Sequence, residues 1–540
     1  MLFNKKSFLS IILLLSLSLT ACSKQATQGQ NVSGSHTLQL MDTSDIVSLD
    51  SSLALDGPSL NALNSVMEGL YMPNEKGEYV PAAALSHKVS KDGKVYTFTL
   101  RDANYSNGDK VTAKDFVFAM RRAIDPKTKA QFAYDLYDIK NAKAINEGKL
   151  SVDKLGVTAL DDKTLEIKLE RAIPYFIQLT SLPMYFPLNE KFVKEQGNKY
   201  GLEADTTLYN GPYVVSKWEH ETGFTMKKNP QYYDKNNVDI NEIDVKLMKE
   251  TSTAVNLYET GQLDQAIIDS SVIDRYKDNK ELHKLAMPIV SYISFNQKNS
   301  FLANEKARKA IANGFNKEDI SKVILNDGSI PTDRIIPKGL VKDSKGTDFV
   351  ESTTHSSTIK LDAAKTLFKE ALSETGKSSV TISLLVSDSN TSRKIGEYIK
   401  SQLETNLKGL TVDITVQPAQ QKFELRTQGD YDLSLDTWGA DYPDPTTYLE
   451  LFTSTSALNV LSFKNKQYDD FLHNANTVSI QNEKERNQML HNAEDLLLND
   501  SIIAPVYQAG YVYLQKSNVS GIEVRPFVGY FYYKYAGKQN

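Results

Sequence analysis

Alternating apolar and polar positions predict several β-strands in this chain. In the run 96–100, Tyr and Phe side chains fall on one face and threonines fall on the other. The same two-residue period recurs at 164–169, 412–416 and 431–436. Each of these runs has the length and pattern of a strand with one buried face.

Other runs repeat their apolar residues at the spacing of an α-helix. This period predicts helices within 55–70, 112–125, 305–315, 362–372 and 395–403. In the second of these, a threonine is followed three residues later by an aspartate, which resembles a capping box. Helices alternate with strands beyond residue 295, and this order predicts a sheet covered on its faces. The fold class is therefore α/β.

The run 431–436 leads into the most unusual segment of the chain. Its period stops at Trp438, and Gly439, Asp441 and two prolines follow within eight residues. Glycine lets another backbone come close, and prolines prevent a strand from continuing. A rigid loop carrying Asp441 is therefore expected, although composition alone also fits a solvated turn. We assign the neighbouring Asp444 to the turn.

The N-terminus has the order of a bacterial secretion signal. Two lysines precede a short apolar run at 8–19, and the sequence Leu-Thr-Ala-Cys at 19–22 matches the lipobox of bacterial lipoproteins. Cys22 is the only cysteine, so it cannot form an internal disulfide. We predict a signal peptide at 1–21, a lipid-bearing Cys22 and a flexible polar tether at 22–35.

Length and charge limit the possible functions. With 540 residues, 40% of them hydrophobic and 24% charged, the chain has a globular composition and room for two to four domains. Removing residues 1–21 takes away two lysines and no acid, so the formal charge changes from −5 to −7. This balance argues against a nucleic-acid partner and against a polybasic membrane surface.

The sequence carries no familiar enzyme signature. It contains no G-x-S-x-G, H-E-x-x-H, G-x-G-x-x-G or Walker motif, and its seven histidines are scattered. A single cysteine gives no zinc or iron–sulfur spacing. We therefore predict no catalytic residues, no cofactor and no metal. An extracytoplasmic hydrolase is the rival from another class, and it would need a nucleophile or a metal constellation.

A series of short motifs resembles the oligopeptide- and dipeptide-binding proteins that feed ABC importers, the family-5 extracellular solute-binding proteins. The signature is Trp-Gly-Ala-Asp-Tyr-Pro-Asp-Pro at 438–445, and the other motifs occur in the expected order: Ser-Leu-Asp at 48–50, Glu-Gly-Leu at 68–70, Tyr-Thr-Phe-Thr-Leu-Arg at 96–101, Ser-Asn-Gly-Asp at 106–109, Asn-Gly-Pro-Tyr at 210–213, Ser-Phe-Asn at 294–296 and Arg-Lys-Ala-Ile at 308–311. Ser51 stands where the family usually has proline. The resemblance covers about 38–530.

This resemblance implies a periplasmic-binding-protein-like two-jaw (Venus-flytrap) fold with an extra inserted lobe, three lobes in total. Two crossing segments would join the jaws around the ligand. The implied boundaries are 36–67, 205–294 and 506–540 for lobe I, 68–204 for lobe II and 295–505 for lobe III. The tyrosines within 530–535 are expected on a strand surface rather than stacked on a ligand.

The resemblance also implies a binding site. A peptide binder must hold the α-ammonium group and the backbone amides, which all peptides share. By resemblance the carboxylate for the ammonium is Asp441. Backbone groups at Thr437 to Gly439, and a facing segment that includes Gly57 and Pro58, would pair with the peptide as an added strand. Trp438 would pack against the ligand or the hinge, with core packing as the alternative.

The function implied is capture of oligopeptides outside the cell and delivery to a membrane permease with cytoplasmic ATPases. The protein would be a monomer, anchored to the outer face of the membrane by its N-terminal lipid. Dipeptides, a peptide pheromone, muropeptides and a nickel chelate are alternative cargoes on the same scaffold. The low histidine count gives nickel little support.

Overall fold

The computed structural model describes residues 37–74, 78–353, 359–456, 458–524 and 529–539. Their β-strands span Thr37–Asp42 (β1), Tyr71–Pro73 (β2), Tyr79–Pro81 (β3), Ala84–Val89 (β4), Val95–Leu100 (β5), Val157–Ala159 (β6), Thr164–Lys168 (β7), Tyr213–Glu219 (β8), Gly223–Lys228 (β9), Glu242–Leu247 (β10), Gln265–Ile267 (β11), Leu282–Phe295 (β12), Ile330–Pro331 (β13), Val380–Ser387 (β14), Leu410–Gln417 (β15), Leu433–Gly439 (β16), Ile503–Gln515 (β17), Val519–Ser520 (β18), Glu523–Val524 (β19), Phe531–Tyr532 (β20) and Gly537–Lys538 (β21). Their α-helices span Gly57–Val66 (α1), Ala113–Ile124 (α2), Ala142–Asn146 (α3), Phe176–Leu179 (α4), Glu190–Gln196 (α5), Thr251–Glu259 (α6), Glu305–Ala312 (α7), Lys317–Asp319 (α8), Leu361–Glu374 (α9), Asn390–Asn406 (α10), Ala419–Gln428 (α11), Thr446–Leu449 (α12), Lys466–Asn476 (α13) and Glu483–Asn499 (α14).

Four strands form the first sheet in the order β1, β10, β9, β8. β1 runs parallel to β10, and the other neighbours are antiparallel. Alternate residues such as Leu38, Leu40, Ile243 and Val245 lie in one hydrophobic cluster, which α1 also enters through Leu63. This sheet therefore joins the start of the described chain to residues more than 200 positions away.

A second four-stranded sheet, in the order β4, β5, β7, β6, packs with α2. Phe98 from β5 shares a buried cluster with Phe116 and Met120 from α2. The backbone N–H of Thr112 donates to Oδ2 of Asp115 at 2.7 Å, so the helix begins at the predicted capping pair. The predicted strand at 96–100 and the predicted helical stripe are both confirmed.

Two long strands, β12 and β17, run antiparallel through a seven-stranded sheet and connect its two ends. β11 pairs with β17 at one end, while β16 pairs with β12 at the other end, with β14 and β15 beyond it. The register of the β12–β17 pair shifts between Ala286 and Val290. Pro288 lies in this interval and has no N–H to donate to a ladder. The ribbon thus has an irregular point where it passes between the two ends.

The order of helices and strands predicted beyond residue 295 is confirmed. β14 pairs in parallel with both β15 and β16. The connecting helix α10 buries Ile395, Ile399 and Leu403 in the same cluster as Ile382 and Leu384 of β14. Parallel strands joined through helices are covered on their faces, and the continuous apolar runs reflect this burial.

The prediction of a half-buried strand at 431–436 is wrong in extent and in burial. The strand is β16, it continues to Gly439, and both of its faces are buried over its first four residues. Ser434 is fully buried, and the buried Asp436 carboxylate lies 3.0 Å from the guanidinium of Arg426. The alternating pattern predicts that Asp436 faces solvent, but Asp436 is buried because the cation of Arg426 pairs with it.

Two further predictions need correction. The helix expected within 55–70 is only α1, which begins after the N-cap Asp56. The tyrosines near the C-terminus are not a strand surface, because Tyr532 and Tyr533 are 1% and 6% exposed and belong to the first hydrophobic cluster. Tyr530, by contrast, borders a cavity.

Residues 1–36 lie outside the described residues, and with them the predicted signal peptide, Cys22 and the tether. No helix in the described ranges is both long enough and apolar enough to cross a membrane. The predicted boundaries of the three lobes stay predictions.

Candidate functional site

A cavity of about 330 Å³ is lined by six separate parts of the chain. Its wall is mostly apolar, with two carboxylates. The lining residues are Ala54, Leu55, Gly57, Leu60, Phe132, Asp135, Pro183, Met184, Pro288, Ile289, Gly439, Ala440, Asp441, Gly529 and Tyr530. Binding sites for small ligands are concave and mostly apolar, with a few polar groups that fix orientation.

Asp441 lies in the loop that follows β16. The N–H of Ala440 donates to the carbonyl of Pro288 at 2.9 Å, which holds the loop against β12. The N–H of Asp441 donates to Oγ1 of Thr447 at 3.1 Å. The strand end and the first turn of α12 therefore fix the backbone of Asp441 from both sides.

The same loop is held by a buried ion pair that the sequence did not indicate. We assigned Asp444 to a turn, but it is 4% exposed and lies 2.8 Å from the guanidinium of Arg486. Its Oδ1 also accepts the N–H of Thr446 at 3.0 Å. Asp444 is a structural anchor that keeps the loop rigid, because removing one partner of a buried pair leaves the other charge unpaired.

The carboxylate of Asp441 has only weak protein partners. Its Oδ1 accepts the hydroxyl of Tyr134 and its Oδ2 accepts that of Thr447, each at 3.4 Å. Burial raises the pKa of Asp441 to about 7, and these two hydrogen bonds counteract the rise only in part. No described lining residue is Lys, Arg or His, so the cavity supplies this acid with no protein cation.

A second acid, Asp135, lines the same cavity from another segment of the chain. It lies in the 3₁₀ turn Ala133–Leu136, and its Oδ1 is buried without a hydrogen-bond partner among the described residues. Burial, and secondarily the charge of Asp441, raise the pKa of Asp135 well above its ordinary value. Sequence reasoning missed this residue, because the segment 131–138 has neither a strand period nor a motif.

The other predicted site residues divide into two groups. Gly57 and Gly439 line the cavity, and a Cβ atom added to Gly57 would meet no atom within 4 Å. Pro58 is buried in the first turn of α1, and Thr437 is exposed on β16. Trp438 is partly buried and packs against a hydrophobic cluster of the α12–α14 region, so it adjoins the cavity without lining it.

At its C-terminal end, β16 is paired with β12 along one edge. Residues 433–439 pair with β12 along their whole length, whereas β14 pairs only with Leu433 and Ser434. On the β14 side, no described strand pairs with Thr437 to Gly439. An open strand edge next to a cavity is the geometry that an extended peptide uses when it adds a strand.

The two walls that carry the acids contact each other beyond the cavity. The rings of Tyr175 and Tyr442 stack with centroids 4.4 Å apart and planes 11° apart. Nearby, the guanidinium of Arg171 lies 3.1 Å from Asp138 and 3.4 Å from Glu450. The structure is therefore a closed arrangement, in which the segments 130–185 and 438–450 meet.

Comparisons with known proteins agree with this architecture. The family described as "Bacterial extracellular solute-binding proteins, family 5 Middle" matches residues 78–459. The chain belongs to this family. Its fold is the two-jaw α/β fold of periplasmic binding proteins with an additional inserted lobe.

Individual relatives extend the similarity over about 94–95% of the chain. A dipeptide-binding protein of Lactococcus lactis subsp. cremoris is 32% identical over 531 residues, which is 95% of each chain. The crystal structure of the substrate-binding domain of an oligopeptide ABC transporter from Bacillus anthracis is 43% identical, covers 94% of this chain and 99% of its own, and has a TM-score of 0.80. Listeria monocytogenes OppA bound to peptide is 35% identical, covers 94% and 100%, and has a TM-score of 0.79.

Proposed function

We propose that this protein is the extracytoplasmic binding component of an ABC importer, and that it captures oligopeptides and delivers them to a membrane permease driven by cytoplasmic ATPases. The observation that carries the proposal is the Asp441 carboxylate, which is buried at the wall of an apolar cavity without a described protein cation. The names of the relatives support a peptide as the cargo.

A peptide α-ammonium group supplies the missing cation. In the cavity it forms a charge-assisted hydrogen bond with Asp441, which a water-exposed pair would not match in strength. The carboxylate ionises as the ammonium enters, because a positive charge nearby lowers its pKa again. Closure of the two walls excludes water from this contact.

The peptide backbone pairs with the open edge of β16 at Thr437 to Gly439. Gly439 and Gly57 leave space for a main chain, since a Cβ atom added to Gly439 would meet only the side chain of Ile289, at 3.4 Å. Main-chain hydrogen bonds hold any sequence equally well, so this mode suits a carrier of varied peptides.

The size of the cavity gives direct support to a second cargo, namely very short peptides. A volume of about 330 Å³ is near the lower end of the range of about 300–1,000 Å³ for small-ligand sites. Peptides of two or three residues fit this volume better than longer ones. The lining of the cavity does not by itself favour a pheromone, a muropeptide or a nickel chelate. The described residues contain no group of three or more metal-ligating side chains.

The protein is placed at the outer face of the membrane by a lipid on Cys22, with residues 22–35 as the tether. Each buried methylene of an acyl chain contributes about 0.8 kcal/mol, so two or three chains hold a water-soluble body stably. We propose that the body acts as a monomer, because one chain encloses the whole cavity.

Mass spectrometry of ligands released from the purified protein tests the proposal. Peptides of several sequences but a narrow range of lengths are expected, each with a free amino terminus. A reporter peptide incubated with the protein should be recovered intact. Recovery of cleaved reporter would favour the hydrolase, and recovery of a non-peptide ligand would refute the peptide cargo.

A further inference from the structure

We infer that Asp135 forms a second cation subsite, which makes the protein prefer peptides whose first residue carries a basic side chain. This inference rests on the proposed function, because it takes the α-ammonium group to be bound at Asp441. It adds a chemical class of ligand, namely peptides with two positive charges at their amino-terminal residue.

The cavity contains more carboxyl groups than one ammonium group can pair with. Asp135 and Asp441 both line it, and the described lining includes no basic residue. The α-ammonium group compensates one carboxylate. A ligand that compensates both must bring a second cation to the same cavity, within the reach of one residue.

Asp135 also lacks the surroundings of a structural acid. Buried polar atoms in folded proteins are nearly always hydrogen-bonded, yet Oδ1 of Asp135 has no partner within the described part of the chain. The backbone of this residue is well held, since its carbonyl accepts the hydroxyl of Tyr185 at 3.1 Å. A carboxyl group on a fixed backbone, in the lining of a cavity and with one oxygen unsatisfied, is arranged to receive a ligand group.

The wall beside Asp135 fits the stem of a lysine or arginine. Phe132, Pro183 and Met184 line the cavity next to it and are apolar. Long basic side chains bury their methylene groups along such surfaces while the charged end reaches a polar partner. An apolar wall with a carboxylate beside it therefore selects a basic side chain over a short polar one.

The protonation of the two acids is linked, because, in addition to burial, the charge of Asp441 raises the pKa of Asp135. The titratable groups that face them are the tyrosines Tyr134, Tyr185 and Tyr448, and these stay neutral because burial raises their pKa values. Near neutral pH, a peptide with one cation leaves a proton on the acid pair. A peptide with two cations displaces that proton, so its binding releases about one proton more.

Calorimetric titration with Lys-Ala-Ala and norleucine-Ala-Ala tests the inference, because the two peptides differ in one charge at nearly constant stem length. The native protein should bind the lysine peptide at least about tenfold more tightly. In Asp135→Asn the two affinities should agree within about twofold, while the norleucine peptide keeps its native affinity and so shows that the variant is folded. Titrations in two buffers of different ionisation enthalpy should show the extra proton released only with the native protein and only with lysine.

The controls separate this inference from the proposed function. Moving the lysine to the second position, in Ala-Lys-Ala against Ala-norleucine-Ala, should abolish the dependence on Asp135. Equal binding of both first-residue peptides to the native protein would overturn the inference and leave the proposed function intact. Loss of the norleucine peptide in Asp135→Asn would also overturn it. Binding of neither peptide to the native protein would instead count against peptide capture itself.

Discussion

The hydroxyl of Tyr134 lies 3.4 Å from Oδ1 of Asp441, so the two walls of the cavity meet at the carboxylate itself. Tyr134 belongs to predicted lobe II and Asp441 to predicted lobe III. Opening the jaws would break this contact and let water reach Asp441, and its pKa would return towards the ordinary value of an aspartate. Closure and the charge of the binding acid are thus linked through one contact.

The raised pKa of Asp441 predicts a pH-dependent cost in the ligand-free protein. A group whose pKa is higher in the folded state stabilises the fold below its unfolded value, and this contribution is lost as the pH rises through the folded value of about 7. At pH 8, the free energy of unfolding of Asp441→Asn should therefore exceed that of the native protein by up to about 4 kcal/mol, and the variant should melt at a higher temperature. At pH 4 the two melting temperatures should be nearly equal. Differential scanning calorimetry after removal of bound peptide measures the melting temperatures at both pH values.

A matched variant keeps that comparison specific. Glu397 is an exposed acid of α10 that does not line the cavity, and Glu397→Gln should change the melting temperature little at either pH. Equal melting temperatures of Asp441→Asn and the native protein at pH 8 would show that the acid is not destabilised by burial.

The stack of Tyr175 on Tyr442 predicts a contribution to closure. Tyr442 follows β16 but packs against the cluster that contains Tyr175, so its ring bridges the two walls. Such ring pairs contribute about 0.5–1.5 kcal/mol, and Tyr442→Ala should weaken peptide binding by about 2- to 13-fold from this loss alone. Small-angle scattering should show a larger radius of gyration for the variant at a peptide concentration that closes the native protein.

Tyr442→Phe is the control for this contact, because it keeps the ring and removes only the hydroxyl. It should bind and close like the native protein. Unchanged affinity in the alanine variant would mean that the stack forms only as a consequence of closure and does not favour it.

The two tryptophans predict an optical signal. Trp438 directly precedes the cavity residue Gly439, and its Nε1 is buried without a hydrogen-bond partner in the described residues. Trp218 lies in the first sheet, where its Nε1 donates to Asp45 at 2.9 Å. Peptide binding should change the intrinsic emission, Trp438→Phe should remove most of the change, and Trp218→Phe should keep it. The reverse pattern would place the affected tryptophan in the first sheet.

The lipid anchor has its own test. Cys22→Ala should move the protein from the membrane fraction to the medium, because no acyl chain can be attached without the thiol. Cys22→Ala protein purified from the medium should still bind peptide, since the cavity is built from residues 54–530. Retention of the variant in the membrane at the native level would contradict the lipoprotein prediction.

Prediction of secondary structure from sequence succeeded where the pattern within one segment is enough to show which of its faces is buried. The strand β5 alternates cleanly because only one of its faces is buried, and Phe98 marks that face. It failed for β16, because the burial of Asp436 depends on Arg426 and on a serine from β12. Local pattern cannot show whether a distant cation will meet an acid.

The residues of the candidate site also divide into those that the sequence revealed and those that it did not. Asp441 was found through a motif, not through the polarity of its neighbours, which also fits a solvated turn. Asp135 was not found, because its relation to Asp441 is created by the closure of two walls more than 300 residues apart in sequence. Tyr530 was misassigned because its backbone N–H is held by Asn61 at 2.6 Å, a contact that brings the C-terminal segment to the cavity.

The role of Asp441 as the partner of the peptide's amino terminus is the central claim. Removing the acid leaves a buried cation unpaired, which costs about 2–5 kcal/mol, or roughly thirty- to several-thousand-fold in affinity. Acetylating the peptide removes the cation and should weaken binding to the native protein by a similar factor. Because the two changes affect one contact, their effects should not add.

Calorimetric titration of native protein and Asp441→Asn with free and N-acetylated tri-alanine gives the four affinities that decide the matter. The account predicts a large loss for either change and little further loss when both are combined. Two full and independent losses would contradict it, because Asp441 would then not hold the amino terminus.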